Sequence, residues 1–159
     1  MKRTVAPMTL VIIFATVFAL GILPTGAQAG ERRGCSNATL QGSFGFTSTG
    51  TLLDSYVPPP FAGPFAEVGR QTFDGNGNTA ATATLSANGN IVRVTVQGTY
   101  VVNPDCTGSL VLYVFEFGIT VNADFVIDDD GAELRAIVTD PGAIESRVYK
   151  KQLPQGRKD

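Results

Sequence analysis

The stretch Ile91-Val92-Arg93-Val94-Thr95-Val96-Gln97-Gly98-Thr99-Tyr100-Val101-Val102, followed by Asn103-Pro104-Asp105-Cys106, decides the fold class. Val92, Val94, Val96, Tyr100 and Val102 fall on one side of an extended chain, and Arg93, Thr95, Gln97 and Thr99 on the other. Side chains alternate across a strand, so this period of two describes a strand with one dry face and one wet face. The Asn-Pro-Asp that follows is turn chemistry.

Working back from that strand, Thr79 to Ala87 forms another, built of small residues and closed by Asn88-Gly89-Asn90. Phe65 to Phe73 precedes it and ends at Asp74-Gly75-Asn76-Gly77-Asn78, a strong hairpin signal because Gly and Asn tolerate positive φ. Leu52 to Pro64 carries Pro58, Pro59, Pro60 and Pro64, and reads as irregular because each proline removes an amide donor. Leu40 to Thr51 is the first strand, with Leu40, Gly42, Phe44 and Phe46 sharing a face. Working forward, Ser109 to Phe117 is apolar on both faces, Leu110, Leu112 and Val114 alternating with Val111, Tyr113, Phe115 and Phe117. Val121 to Ile127, Glu133 to Thr139 and Ile144 to Gln152 complete the set, separated by Asp128-Asp129-Asp130-Gly131 and Asp140-Pro141-Gly142. No stretch after the leader sustains a helical period. The expected fold is all-β: about eight antiparallel strands in up-and-down order closed into a barrel, with a β-sandwich as the alternative.

Met1 to Ala29 reads as a removable leader. Lys2 and Arg3 begin it, Met8 to Ile22 is uncharged and apolar, and Ala27-Gln28-Ala29 supplies a small-x-small cleavage site. The apolar run is shorter than the roughly 20 residues of a spanning helix, which argues against a permanent anchor. Arg32-Arg33 before Gly34-Cys35 argues against lipidation of Cys35. Residues 30–159 are then one β-barrel domain, secreted or periplasmic.

Removing the leader leaves ten basic residues against fourteen acidic ones, a net charge of −4. Nucleic acid demands clustered positive charge, and the only basic cluster is the tail, Lys150-Lys151 and Arg157-Lys158. Outward positions such as Arg70, Arg93, Thr95 and Gln97 leave no continuous lipid-facing band for an outer-membrane barrel. After cleavage, no permanent membrane insertion is expected.

Cys35 and Cys106 are the only cysteines, and in an oxidising compartment an even pair reads first as a disulfide. If consecutive strands alternate in direction, both cysteines lie at the same end of the barrel. The Asp74-Gly75 and Asp130-Gly131 turns belong to that end too. The Pro-rich stretch, Gly118 and Asp140-Pro141-Gly142 fall at the other, which is the expected mouth. There the Pro-rich stretch forms a lid, with Tyr56 and Phe61 laid against the opening.

The stretches Cys35-Ser36-Asn37-Ala38-Thr39-Leu40-Gln41-Gly42-Ser43-Phe44-Gly45, Phe73 to Asn78, Asn103-Pro104-Asp105-Cys106-Thr107-Gly108 and Thr139-Asp140-Pro141-Gly142 together resemble a group of small exported bacterial β-barrel proteins. More distantly, the pattern is similar to eight-stranded calycin-like barrels and to the allene oxide cyclase type of barrel. Those folds host ligand binding and cyclisation. The shared motifs are turns and a disulfide, and no catalytic residue of the cyclases aligns with a motif here. The likeness therefore implies a fold and not a chemistry.

The chain has no histidine, which excludes Ser-His triads and histidine acid–base chemistry. The Gly-Asn clusters sit in hairpins and make no phosphate loop. Asp128-Asp129-Asp130-Gly131 and Asp74 to Asn78 lack the spacing and terminal glutamate of a helix–loop–helix calcium site, so they read as turns. No metal or cofactor is expected. The charges that invite chemistry lie in apolar strands: Glu67 on the Phe65, Gln71, Phe73 face, and Glu116 on the Leu110, Leu112, Val114 face. A carboxyl group in a low-dielectric interior has a raised pKa and can bind a polar group or move a proton.

Three functions compete. The first is a barrel that binds a small apolar ligand, with Phe44, Phe46, Tyr56, Phe61, Glu67, Gln71, Tyr113 and Glu116 as the expected lining. The second is a shape-driven cyclase or isomerase, which requires Glu67, Gln71, Glu116 or Tyr113 to converge. The third is a structural or interaction protein without a pocket, for which the doubly apolar fifth strand offers a surface for a homo-oligomer.

Overall fold

The computed structural model describes residues 34–153, so the expected leader and the tail residues Arg157 and Lys158 lie outside the described residues. Eight antiparallel strands form one closed barrel in sequence order: β1 (Gly42–Leu52), β2 (Gly63–Phe73), β3 (Asn78–Ala87), β4 (Asn90–Val102), β5 (Thr107–Val114), β6 (Ile119–Asp128), β7 (Glu133–Val138) and β8 (Ala143–Lys151). The ladder between β1 and β8, from Phe44 opposite Lys151 to Leu52 opposite Ala143, closes the sheet and excludes the sandwich.

Within the strands, alternate residues turn inward. In β3 the buried side chains are Thr79, Ala81, Ala83, Leu85 and Ala87; in β4 they are Val94, Val96, Tyr100 and Val102. The small residues of β3 have a packing reason. A Cβ built on Gly69 would lie 2.6 Å from both the Phe46 ring and the Ala83 Cβ, so glycine and alanine make the space that the Phe46 ring fills.

Most strand ends lie one to three residues from the expected ones, and three of these shifts have a clear local cause. Pro64 lies inside β2, opposite Thr51. Its carbonyl accepts from Asn88 N at 2.8 Å, just past the last β3 partner, Ala87, so its missing amide donor falls beyond the ladder. β5 stops at Val114 rather than Phe117, because Gly118, at φ +63°, donates back to Val114 O at 2.9 Å and turns the chain. β6 accordingly starts at Ile119, opposite Val114.

One end of the barrel is shut. Cys35 and Cys106 form a disulfide with a Cα–Cα distance of 4.9 Å, which speaks for an oxidising compartment. A short 3₁₀ turn, Asn37–Leu40, sits beside it with Leu40 fully buried. Tyr100 Oη donates to Asn37 O at 3.0 Å and accepts from Gly75 N at 2.9 Å, while Val102 N donates to Asn37 Oδ1 at 2.8 Å. Above this plug the rings of Phe44, Phe73 and Tyr100 pack edge to face, with centroids 5.3 and 5.1 Å apart. Aromatic burial and these hydrogen bonds make this half solid.

Candidate functional site

The open half differs. A cavity of about 50 Å³ remains beneath the loop joining β1 to β2. Its walls are apolar, among them Phe65, Leu85, Val94, Val96, Leu112 and Val121. Tyr56 and Val57 of the loop roof it, with Val57 buried to 2% exposure. The loop is pinned along its length: Leu53 N donates to Gly142 O at 2.8 Å, Tyr56 Oη to Asp140 Oδ2 at 3.1 Å, and Asn90 Nδ2 to Pro60 O at 3.1 Å. Phe61 packs edge to face on Phe117, centroids 5.2 Å apart. The Pro-rich stretch thus folds over the end opposite the disulfide.

On one side of this cavity the wall is charged. Glu67, Ser48 and Arg147 form a row across β2, β1 and β8: Ser48 is the direct partner of Glu67 on one side and of Arg147 on the other. Ser48 Oγ donates to Glu67 Oε2 at 2.9 Å, and Arg147 Nη2 lies 4.0 Å from the same oxygen. Arg147 Nε donates to Glu145 Oε1. The three charged side chains retain only 8% (Glu67), 9% (Arg147) and 5% (Glu145) of their exposure. Tyr149, fully buried on the same face of β8, sets its hydroxyl beside the Arg147 guanidinium.

The electrostatics follow from that burial. Desolvation pushes the Glu67 carboxyl above its ordinary pKa; Arg147 pulls it back, Glu145 raises it further, and the Ser48 hydrogen bond lowers it. Burial opposes the charge of Arg147, but Tyr149, Glu145 and Glu67 together hold the guanidinium above its ordinary value. Desolvation raises Tyr149 and Tyr56 as well, with Asp140 adding to the effect at Tyr56. With both acids ionised, two negative charges face one positive charge in an apolar interior.

The residues singled out in the sequence are distributed unevenly. Glu67 and Tyr56 line the cavity, and Phe61 packs in the apolar cluster at the mouth. Phe44 and Phe46 belong to the main core; Phe46 lies against Tyr149, centroids 5.2 Å apart. Gln71 is fully buried but lies outside the cavity lining, donating through Nε2 to Thr79 Oγ1 at 2.9 Å while its Oε1 finds no partner. Tyr113 and Glu116 correct the expectation for the fifth strand. Tyr113 points out of the barrel, 43% exposed and edge-on to Phe115. Glu116 lies beyond the end of β5, where the strand's alternation no longer holds, and its carboxylate accepts from Thr95 N at 2.8 Å on the outer edge. That bond holds its pKa below the ordinary value.

Glu145, Arg147, Tyr149, Ser48 and Val57 were not anticipated. Along Ile144-Glu145-Ser146-Arg147-Val148 the apolar residues are the ones that face out: Ile144 is 69% and Val148 39% exposed. A hydrophobic alternation gives the wrong phase here, and only the closure against β1 sets the right one. A signal was present in β1. Gly50, the partner of Glu145, has no room for a Cβ, which would lie 1.8 Å from Ile144 O. With Ser48 beside it, β1 is small where β8 brings its charges.

No protein-family model and no curated protein matches the chain. Among solved structures, a redesigned β-barrel, b11L5F_LGL, superposes with a TM-score of 0.51 at 12% identity, covering 74% of this chain and 95% of that one. A second redesigned barrel, mFAP1 bound to DFHBI, gives a TM-score of 0.48 at 14% identity over 72% of this chain and 97% of that one. The first likeness is one of fold.

Proposed function

We propose that this protein binds a small, mainly apolar molecule in the open half of its barrel, with the β1–β2 loop as the lid, in a compartment outside the cytoplasm. The observation that carries the reading is the charged wall of Glu67, Arg147 and Glu145 set against an otherwise apolar cavity. Burying such a cluster costs several kcal/mol per ion, and well-packed apolar side chains of similar volume are often neutral or stabilising in its place. A barrel that needed only a filled core has no use for it. Apolar walls with a few convergent polar groups are the general make-up of a small-molecule site. The disulfide and the leader sequence support export, and the turn motifs support the likeness to exported bacterial barrels.

A cavity of about 50 Å³ is far below the roughly 300 Å³ at which ligand pockets begin, so binding requires the lid to lift and withdraw Tyr56 and Val57. The isomerase reading needed groups that stand apart, since Tyr113 and Glu116 are on the outer surface. The test is titration with the neutral dye N-phenyl-naphthylamine, followed by fluorescence. Saturable enhancement at one dye per chain, arriving faster once residues 54–61 are replaced by a Gly-Ser linker, is the expected result. No enhancement in either protein overturns the reading.

A further inference from the structure

We propose that the molecule taken up carries an ammonium-type cation at one end and that Glu67 receives it. This rests on the ligand-binding reading above and names the class of ligand. The ratio of two carboxyl groups to one guanidinium weighs against the opposite charge. Arg147 is the only cation on the cavity lining. Its Nε is bonded to Glu145 and its Nη2 already faces Glu67 Oε2. A carboxylate or phosphate entering the cavity meets two carboxyl groups and one guanidinium, whose Nε is already bonded to Glu145.

A cation meets the reverse. Ser48 occupies Glu67 Oε2, and among the described residues no donor bonds to the second oxygen, on the residue that lines the cavity. An ammonium has three donors and no acceptor. It would satisfy the unpaired Glu67 oxygen and, with both acids ionised, bring the local charge to zero. The remaining walls, Leu85 of β3, Val94 and Val96 of β4, Leu112 and Val114 of β5, and Ile119 and Val121 of β6, suit an alkyl or aryl body.

Burial gives the site a pH dependence. The groups facing Glu67 are Ser48 from β1, Glu145, Arg147 and Tyr149 from β8, and Tyr56 from the lid with Asp140 behind it; β3 to β6 present only apolar side chains. Burial raises the Glu67 pKa, and below that raised value the carboxyl in the empty barrel holds a proton. An ammonium replaces that proton, so binding releases it and tightens as pH rises through the raised value, then levels off.

Calorimetric titration of the purified protein with n-hexylammonium, n-hexanol and hexanoate tests this, repeated from acid to neutral pH. Hexylammonium is expected to bind about tenfold or more tightly than the other two, the equivalent of one pKa unit of differential interaction. Its affinity should climb with pH while that of hexanol stays level. Glu67→Gln should reduce hexylammonium to the affinity of hexanol; the wild-type pH series gives the answer even if that variant does not fold. Hexanol or hexanoate binding as tightly as the amine, or amine binding indifferent to pH, overturns the proposal and leaves the N-phenyl-naphthylamine result standing. Failure of all three hexyl compounds, in a barrel that takes up the dye, overturns it too.

Discussion

Tyr56 Oη and Asp140 Oδ2 meet at 3.1 Å and tie the loop over the mouth to the β7–β8 turn. The same carboxylate accepts Asn122 N at 2.6 Å and Asn122 Nδ2 at 2.7 Å, so β6 holds the acceptor in place. One side chain therefore connects the lid to the frame of the barrel.

Tyr56→Phe removes that hydrogen bond and leaves Asp140 satisfied by Asn122. A bond to a charged acceptor contributes about 1.5–3 kcal/mol, less here because Tyr56 is half-buried. The loss should fall on the loop. Hydrogen exchange at the Tyr56 and Val57 amides, both of which donate to Leu53 O, is expected to accelerate while the strand amides keep their protection. Unchanged exchange at those two amides would show that apolar packing alone holds the lid.

Glu67 should give the protein a stability component that runs against the usual acid lability. Its folded pKa is raised from 4.5, so the folded state holds more protons than the unfolded state between the two values. The component is fully present below the unfolded pKa and is lost as pH rises through the folded one. Asp74, Asp105 and Glu116, held low by hydrogen bonds on the exposed surface, act in the opposite sense. The comparison that isolates Glu67 is the difference between wild type and Glu67→Gln in denaturant unfolding. The variant's advantage should grow from acid to neutral pH; a flat difference would place the carboxyl in contact with water.

The strands were legible because the chain alternates cleanly wherever the inward face is apolar, as in Val92 to Val102, and because Asp74-Gly75 and Asn88-Gly89 are explicit turns. Closure needed more than alternation, yet the strand directions already put Cys35 and Cys106 at one end and the prolines at the other. The site was half legible. Glu67 stood out as a charge among Phe65, Gln71 and Phe73. Its partners on β8 were hidden, because Ile144 and Val148 offer a hydrophobic phase that the barrel rejects. Glu116 misled for the opposite reason: the strand ends at Val114, and a residue beyond its strand keeps no face.

The Cys35–Cys106 bond closes a loop with a sequence separation of 71 residues. In the chain-entropy account a loop of that size stabilises the fold by about 4 kcal/mol. Cys106→Ser should lower the melting temperature under non-reducing conditions, and reduction of the wild type should bring it down to the variant's value. Equal melting temperatures for oxidised wild type and variant would mean that the Asn37–Leu40 plug and its hydrogen bonds hold that end without the crosslink.

Arg147 decides whether the charged wall serves stability or binding. Arg147→Met leaves Glu67 and Glu145 without a counter-charge in an apolar interior, and removing one member of a buried ion pair costs about 3–5 kcal/mol. The loss should be largest at neutral pH and shrink in acid, where the two carboxyl groups can take up protons. The variant also forfeits the guanidinium packed 5.8 Å from the Phe46 ring centroid, a pH-independent contribution that methionine only partly replaces. The triple variant Glu67→Gln, Glu145→Gln, Arg147→Met separates the two effects. If the charges are there to meet a ligand, the triple variant should unfold within about 1 kcal/mol of wild type, or be more stable, while losing its preference for hexylammonium. A triple variant as unstable as Arg147→Met would instead make the ion cluster a packing element of the barrel, and would remove the observation on which the binding site rests.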